Sequence, residues 1–377
     1  MIDTDVFCKG LKKAGYDLIT GVPDSLLKEL VNSFEYFYKK KHIISTNEGS
    51  AVALAIGNYI GTKKPAVVYL QNSGLGNIIN PITSLANPKV YGFPILLIIG
   101  WRGEVYKNRQ IKDEPQHKFQ GLITLKQLKL LKIPFKVINN KTKDFSKTIY
   151  DLKNKSIKDQ TPVAIVVRKN TFSKSKHSHE FNKKIKYGFY REEVINDIIT
   201  NLKSKKNYII CTTGMASREL YEARVQNKQN LFKDFLTVGG MGHVSQIASG
   251  IALSKKKKII CIDGDGSFLM HTGALGLSAK IKNLIHIVIN NGAHDSVGGQ
   301  PTLGNNLNLK KIAKEFGYKN TYIVSKRSVI PEIVKKCLSA KLSSMVVINC
   351  DKGHRKNLGR PGQNMILRKK KFMKQIN

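Results

Sequence analysis

The chain reads as an α/β protein built from two doubly wound parallel-sheet domains. Short β-branched runs alternate with stretches of helical period along the whole sequence. The runs are almost continuously apolar, as strands buried on both faces must be. A length of 377 residues holds two domains of ordinary size, each with its own core, and not three large ones.

In the first half, strands are expected at Leu18–Val22, Ile43–Thr46, Ala66–Leu70, Ile95–Ile99, Phe135–Ile138 and Val163–Val167. Helical stretches lie between most of them, at Ser25–Phe34, Glu48–Ile60 and Gly76–Ala86. Strand–helix–strand spacing of this kind calls for right-handed crossovers and helices on both faces of a sheet. From Thr171 to Lys186 the pattern gives way to Ser, Lys, His and Asn, which predicts a linker. His177 and His179 fall in it without carboxylates or thiols at ligand spacing, so a solvated linker is favoured over a metal site.

The second half repeats the rhythm, with strands expected at Tyr208–Cys211, Phe235–Val238, Ile259–Ile262, Ile285–Ile289, Thr321–Val324 and Met345–Asn349. Amphipathic helices are expected at Leu309–Phe316 and Ser328–Leu338. The domains are therefore placed at 1–170 and 187–355, joined by 171–186 and followed by a loosely ordered basic tail over 356–377.

An apolar fraction of 41% with 24% charged residues excludes a disordered chain. The longest apolar run, Phe93 to Trp101, is about half of the roughly 20 residues that a spanning helix needs. The N-terminus lacks the basic and apolar regions of a secretory signal. Five dispersed cysteines exclude a Cys-x-x-Cys zinc site and a disulfide framework, which points to a reducing cytoplasm. The net charge of +38 is spread along the chain, and no helix-turn-helix signature or aromatic RNA-binding box accompanies it. A solvated basic surface is expected, with no nucleic-acid or membrane partner, and it would favour encounter with an anionic substrate.

The chemistry centres on Gly264-Asp265-Gly266-Ser267, which follows the apolar run Ile259–Ile262. An Asp between glycines at a strand end can set its carboxylate on a divalent cation while backbone approaches a phosphate. Alone, this triplet also suits an ordinary turn. Twenty-three residues separate Gly266 from Asn290-Asn291-Gly292, at the end of the next strand. The pair brings two hard oxygen ligands to neighbouring strand ends, suited to Mg²⁺ with diphosphate oxygens.

These segments resemble the diphosphate–Mg²⁺ motif of thiamine-diphosphate enzymes. The resemblance implies that Asp265, Asn291 and the carbonyl of Ala293 bind the metal, beside Gly264, Gly266 and Ser267. It also implies that a glutamate from a separate pyrimidine-binding domain activates the cofactor. Thr46-Asn47-Glu48-Gly49-Ser50 supplies Glu48 at a strand end where a helix begins. Without the metal motif, Glu48 would read as a first-turn residue favoured by the helix dipole. In Gly239-Gly240-Met241-Gly242, Met241 would wedge the cofactor into its bent form and the Gly239 carbonyl would accept from its amino group. Gly214 and Ser217, after the first strand of the second domain, would donate to the diphosphate.

With no room for a third domain, the chain looks most like the short decarboxylases of that family, which act on phosphonopyruvate and sulfopyruvate. The segments that carry this likeness include Gly21–Leu27, Gln71–Asn77, Gly100–Gly103, Lys112–His117 and Asn290–Thr302. Fusion of both domains leans toward phosphonopyruvate, whose product is phosphonoacetaldehyde, an intermediate on the way to 2-aminoethylphosphonate; sulfopyruvate is the alternative. A basic binding protein that has lost catalysis is disfavoured by intact Glu48, Asp265 and Asn291. The stretch Arg102–Lys118 reads as a long loop that could close as a lid. Asn72 and, in this stretch, Arg102, Arg109 and His117 are the candidates for substrate binding, with Lys107 and Lys112 adding charge. Asp24, Asp113, Glu114 and His117 are candidate proton carriers. The resemblance further implies a homo-oligomer, at least a dimer, with active sites shared between subunits.

Overall fold

A computed structural model describes residues 1–106, 109–177, 186–202, 207–359, 361 and 364–377. The chain forms two compact units, Met1–Phe181 and Asn182–Asn377. The first contains β1 (Ile19–Gly21), β2 (His42–Ile44), β3 (Ala66–Gln71), β4 (Ile95–Gly100), β5 (Val105–Tyr106), β6 (Arg109–Gln110), β7 (Phe135–Ile138) and β8 (Val163–Val167). The second contains β9 (Tyr208–Cys211), β10 (Asp234–Leu236), β11 (Ile259–Gly264), β12 (Leu284–Asn290), β13 (Asn320–Val324) and β14 (Ser344–Asn349).

Each unit is built on one six-stranded parallel sheet, in the order β2-β1-β3-β4-β8-β7 and β10-β9-β11-β12-β14-β13. The two orders are the same: the second strand lies outside the first, and the last slips in ahead of the fifth. This topology is shared although the two halves show no repeat in sequence.

Alternation along each strand divides the core between the faces of its sheet. In β4, Leu96 and Ile98 pack with Phe7, Leu30, Val163 and Ile165 on one face. Ile95, Leu97 and Ile99 pack with Val52, Ile78 and Ile82 on the other. In the second unit Ile260, Ile262, Ile285 and Ile287 form one face. The opposite face is split into two smaller clusters. Between them sits buried His286, 3.4 Å from Asp263 and hydrogen-bonded at 3.0 Å to the Tyr318 hydroxyl.

Two expectations differ from the structure. Residues Thr171–His177 are no free tether, because they are laid along the first unit. The Ile2 amide donates to the Thr171 carbonyl and the Ser173 amide to the Ile2 carbonyl. Phe172 packs edge-on against Phe7 at 5.1 Å, and the His177 ring stacks on Tyr36 at 3.8 Å. His177 also bonds Asp5 at 3.1 Å, while His179 lies outside the described residues. The basic tail, in turn, contains the helix Met365–Ile376. Its Phe372 packs against Tyr208 and Phe235 at 6.1 and 5.7 Å, and Ile376 is buried beside it. Arg368, Phe372 and Ile376 recur every fourth residue, so the lysine run Lys369–Lys371 masks an amphipathic face.

If this helix is part of the core, Phe372→Ala should cost about 3 kcal/mol through lost burial and a residual cavity. Urea unfolding followed by circular dichroism checks it, and a shift no larger than that of an exposed Lys370→Ala control would show the helix to be dispensable.

Candidate active site

In each sheet the strand order reverses beside the first strand, the point at which a parallel sheet can admit a ligand at its carboxyl ends. In the second unit it is flanked by the loops after β9 and β11. The helix Met215–Gln226 begins just after β9, with Gly214 at φ +89° as its entry residue. Its first-turn amides have no intrahelical acceptors and form a natural anion cradle. The Ser217 hydroxyl donates to the Thr212 carbonyl at 2.7 Å, so this side chain is turned to its own strand. What Ser217 can offer a diphosphate is therefore its amide.

Asp265 follows β11 and is buried. Burial raises its pKa to about 6, opposed by the bond it accepts from the Thr302 hydroxyl and reinforced by the charge of Asp295. Gly304 packs so closely that a Cβ there would collide with both Asp265 and Asn290. Above Gly264, by contrast, a Cβ would meet nothing within 4 Å, so ligand atoms can approach the backbone. Ser267 stitches the site together, its hydroxyl oxygen accepting from Thr212 Oγ1 and from the Gly242 amide, both at 3.1 Å.

The two asparagines at the end of β12, the neighbour of β11, differ in role. Asn290 donates to the Gly304 carbonyl at 3.1 Å and to Asn349 Oδ1 at 3.0 Å, which ties strand ends together. Asn291 donates to Asp295 Oδ2 at 2.6 Å, and its oxygen accepts from the Ala293 amide at 3.1 Å, which leaves a lone pair for a cation. In the loop Gly239–Gly242, Gly240 and Gly242 take positive φ, and the Met241 methyl comes within 3.4 Å of a Cβ built on Gly266. His294, which the motif alone does not single out, lies against the same face of Gly266, and burial lowers its pKa to about 4.

Among the described residues no three His, Cys, Asp or Glu side chains cluster as a metal site. The available donors are instead one buried carboxylate, one amide oxygen and main-chain carbonyls. These are hard oxygens that fit Mg²⁺ and leave room for diphosphate. A cation beside Asp265 would also relieve the cost of its buried charge.

In the first unit, Glu48 opens the helix Glu48–Thr62, capped by Asn47, which accepts from the Ser50 amide at 2.8 Å. Glu48 is buried and accepts from Asn77 Nδ2 at 2.7 Å. Gly74 presses on its other oxygen, and a Cβ there would displace the carboxylate. Asp24, after β1, is fully buried against Gly100 and accepts from the Leu26 amide at 3.1 Å. Burial raises its pKa to about 6 despite the nearby Arg102 charge.

The segment expected to be a long loop is shorter and better anchored. It holds the β5–β6 hairpin, and a helix starts at Pro115. Gln110 donates to the carbonyls of Gly103 and Lys118 at 2.8 and 2.6 Å. Asn72, expected to meet substrate, spends its amide on the Arg102 backbone and on Thr124, at 2.9 to 3.1 Å. Arg102 pairs in bidentate fashion with Asp113 at 2.8 and 2.5 Å and donates to Ser25 at 2.9 Å. Although burial works the other way, Arg102 and two backbone amides hold Asp113 well below the usual carboxylate range. An acid fixed in its ionised form is a poor proton carrier, which argues against that reading of Asp113. Arg109 and Lys112 are exposed, Glu114 and His117 are half-buried at the start of the helix Pro115–Leu130, and Lys107 lies outside the described residues.

Two parallel sheets whose strand-end loops carry these donor sets define a class of cofactor enzyme. The description "Thiamine pyrophosphate enzyme, N-terminal TPP binding domain" matches residues 4–130, and the corresponding C-terminal TPP binding domain matches residues 212–350. The chain belongs to the thiamine pyrophosphate enzymes, and its cofactor is thiamine diphosphate with Mg²⁺. It is 28% identical to a phosphonopyruvate decarboxylase of Streptomyces viridochromogenes, over 96% of this chain and 91% of that one. It is 28% identical to a sulfopyruvate decarboxylase of Methanosarcina acetivorans, over 86% and 85%. A sulfopyruvate decarboxylase subunit alpha of Methanococcus maripaludis is 38% identical over 42% of this chain and 90% of that one. Fusion of the two domains thus occurs under both names, so it does not separate the two activities. Among the described residues no helix is long and apolar enough to cross a membrane.

The buried Asp24 gives the unliganded protein a pH signature. Its folded pKa of about 6 lies above the ordinary value of 3.8. The folded state therefore holds an extra proton between these values, and stability falls as pH rises through that window. Asp24→Asn keeps the acceptor for Leu26 and removes the charge. Its stability advantage should grow from pH 4 to 6 and then level at on the order of 3 kcal/mol. Urea titrations of both proteins at several pH values check this; a difference independent of pH would place the raised pKa elsewhere.

Proposed function

We propose that the chain catalyses thiamine-diphosphate-dependent decarboxylation of 3-phosphonopyruvate to phosphonoacetaldehyde and CO₂, as a cytoplasmic carboxy-lyase of phosphonate biosynthesis. The observation that carries the reading is the near-complete alignment with a relative of that name, in a chain that retains Glu48, Asp265 and Asn291. Sulfopyruvate is the second reading, favoured by the relatives of that name.

In this reading the 1–170 domain binds the pyrimidine and the 187–355 domain the diphosphate. Asp265, Asn291 and the Ala293 carbonyl hold Mg²⁺. Backbone at Gly214, Ser217, Gly264, Gly266 and Ser267 cradles the diphosphate, while Met241 and the Gly239 carbonyl shape and hold the cofactor. The cofactor supplies a nucleophilic carbon and accepts the electron pair left as CO₂ departs. Glu48 keeps a proton at the pyrimidine nitrogen, oriented by Asn77 and Gly74. Asp24, close to half-protonated at pH 6, with Glu114 and His117, is suited to proton delivery. Arg109 and His117 are proposed to meet the phosphonate, whereas Arg102 is already neutralised by Asp113.

The assembly is proposed to be a homodimer whose sites pair Glu48 of one subunit with Asp265 and Met241 of another. Glu48→Gln should keep Mg²⁺-dependent cofactor binding and lose turnover, whereas Asp265→Ala should lose cofactor retention. Mixing the two inactive chains should restore part of the activity, and no recovery after verified subunit exchange would reject shared sites.

A site that pairs a dianion leaves donors unsatisfied with pyruvate, each worth about 1–3 kcal/mol. Two or three such donors give a preference for phosphonopyruvate over pyruvate on the order of 10² to 10⁴ in kcat/KM, with sulfopyruvate between. Arg109→Ala should narrow that gap while sparing pyruvate. Carbon dioxide release from the three acids tests this. Equal rates for pyruvate and phosphonopyruvate defeat the proposal, and a clear excess for sulfopyruvate promotes the second reading.

A further inference from the structure

A buried charge cluster lies directly behind the proposed metal ligand. Asp295, in the short turn Asp295–Val297, accepts on one oxygen from Asn291 Nδ2 at 2.6 Å, Arg191 Nη1 at 3.0 Å and the Gly353 amide at 3.0 Å. Arg191 is buried and also pairs in bidentate fashion with Glu219, at 2.6 and 2.8 Å. The cluster therefore joins the helices Arg191–Thr200 and Met215–Gln226 to the segments that follow β12 and β14.

We propose that Asp295, itself held by Arg191 and Glu219, is a positioning residue that determines which end of the Asn291 amide faces the metal. The inference rests on the reading of Asn291 as a Mg²⁺ ligand. An asparagine has an oxygen and an NH₂ of almost the same shape, and only the oxygen can bind a hard cation. An ionised carboxylate accepts and cannot donate. Opposite Asp295 the NH₂ end is therefore favoured, and a flipped Asn291 would set oxygen against oxygen in a buried site. Three donors converge on one Asp295 oxygen and hold that carboxylate in place as an acceptor. The metal-facing oxygen of Asn291 is thus chosen by a residue that need not touch the metal.

The cluster allows a test by removal and compensation. Asp295→Asn keeps an acceptor oxygen where Asn291, Arg191 and Gly353 converge, and serves as the conservative control that should bind Mg²⁺ like the wild type. Asp295→Ala removes that acceptor, and nothing on that side then favours the NH₂ end of Asn291. Mg²⁺ binding by Asp295→Ala, measured by calorimetry at saturating thiamine diphosphate, should weaken about 10- to 100-fold, as for other outer-shell partners of metal ligands. In the double variant Asn291→Asp with Asp295→Ala, the ligand has oxygen at both ends, so no choice of end remains. Mg²⁺ affinity should then return most of the way to wild type, which a merely structural role for Asp295 would not produce.

If the wild type binds Mg²⁺ and Asp295→Ala binds it within threefold, the positioning role is overturned. It is also overturned if the double variant gives no recovery. A wild type that shows no Mg²⁺-dependent binding of thiamine diphosphate would instead overturn the functional reading, and this inference with it.

Discussion

A parallel sheet flanked by helices can admit a ligand at its strand ends only where successive crossovers part to opposite faces. That constraint governs both units. In the second, it places the loops after β9 and β11 across a crevice from each other, with β12 as the next neighbour. Gly214, Asp265 and Asn291 all lie just beyond the carboxyl ends of these strands. In the first, the same order gathers Asp24, Glu48, Asn72 and Arg102 beyond β1, β2, β3 and β4. Four loops far apart in sequence become one polar rim because the strands beneath them are neighbours.

Beneath the rim the sheets are apolar, so each charge near them carries a desolvation cost. The protein meets that cost in two ways. Arg102–Asp113, Arg224–Asp234 and Arg191–Glu219 are paired through matched nitrogen and oxygen forks. Asp24 and Asp265 are buried without such a fork, and both are pushed toward the protonated form. The first kind of carboxylate is held in place by its arginine and suits architecture. The second responds to protons or cations, as the chemistry of a site requires.

Much of this was legible in the sequence. Val163–Val167 and Tyr208–Cys211 have the same ends in the structure as in the sequence pattern, because strands buried on both faces are written as unbroken apolar runs. Asp265 and Asn291 stood out as candidates through the spacing of their motifs, and Glu48 through the family resemblance. The β5–β6 hairpin was not legible, since two-residue strands are too short for any period to show. The final helix was hidden by its lysines. What pattern could not supply was how each polar side chain uses its capacity. Ser217 turns inward, Asn72 serves the backbone of Arg102, and Asp295 accepts from a neighbour four residues away. Those choices depend on which elements meet, and they are settled only by folding.

The equal strand orders also bear on how such a protein is made. Every strand of the first sheet precedes residue 182 and every strand of the second follows it, and each sheet has its own core. Folding of either sheet needs no strand from the other. Covalent continuity then has one remaining task, which is stoichiometry: each ribosome that finishes one half delivers the other in equal number. A relative that matches about two-fifths of this chain along nearly its whole length is called a subunit, which fits a design in which joining the halves is a matter of supply rather than of architecture.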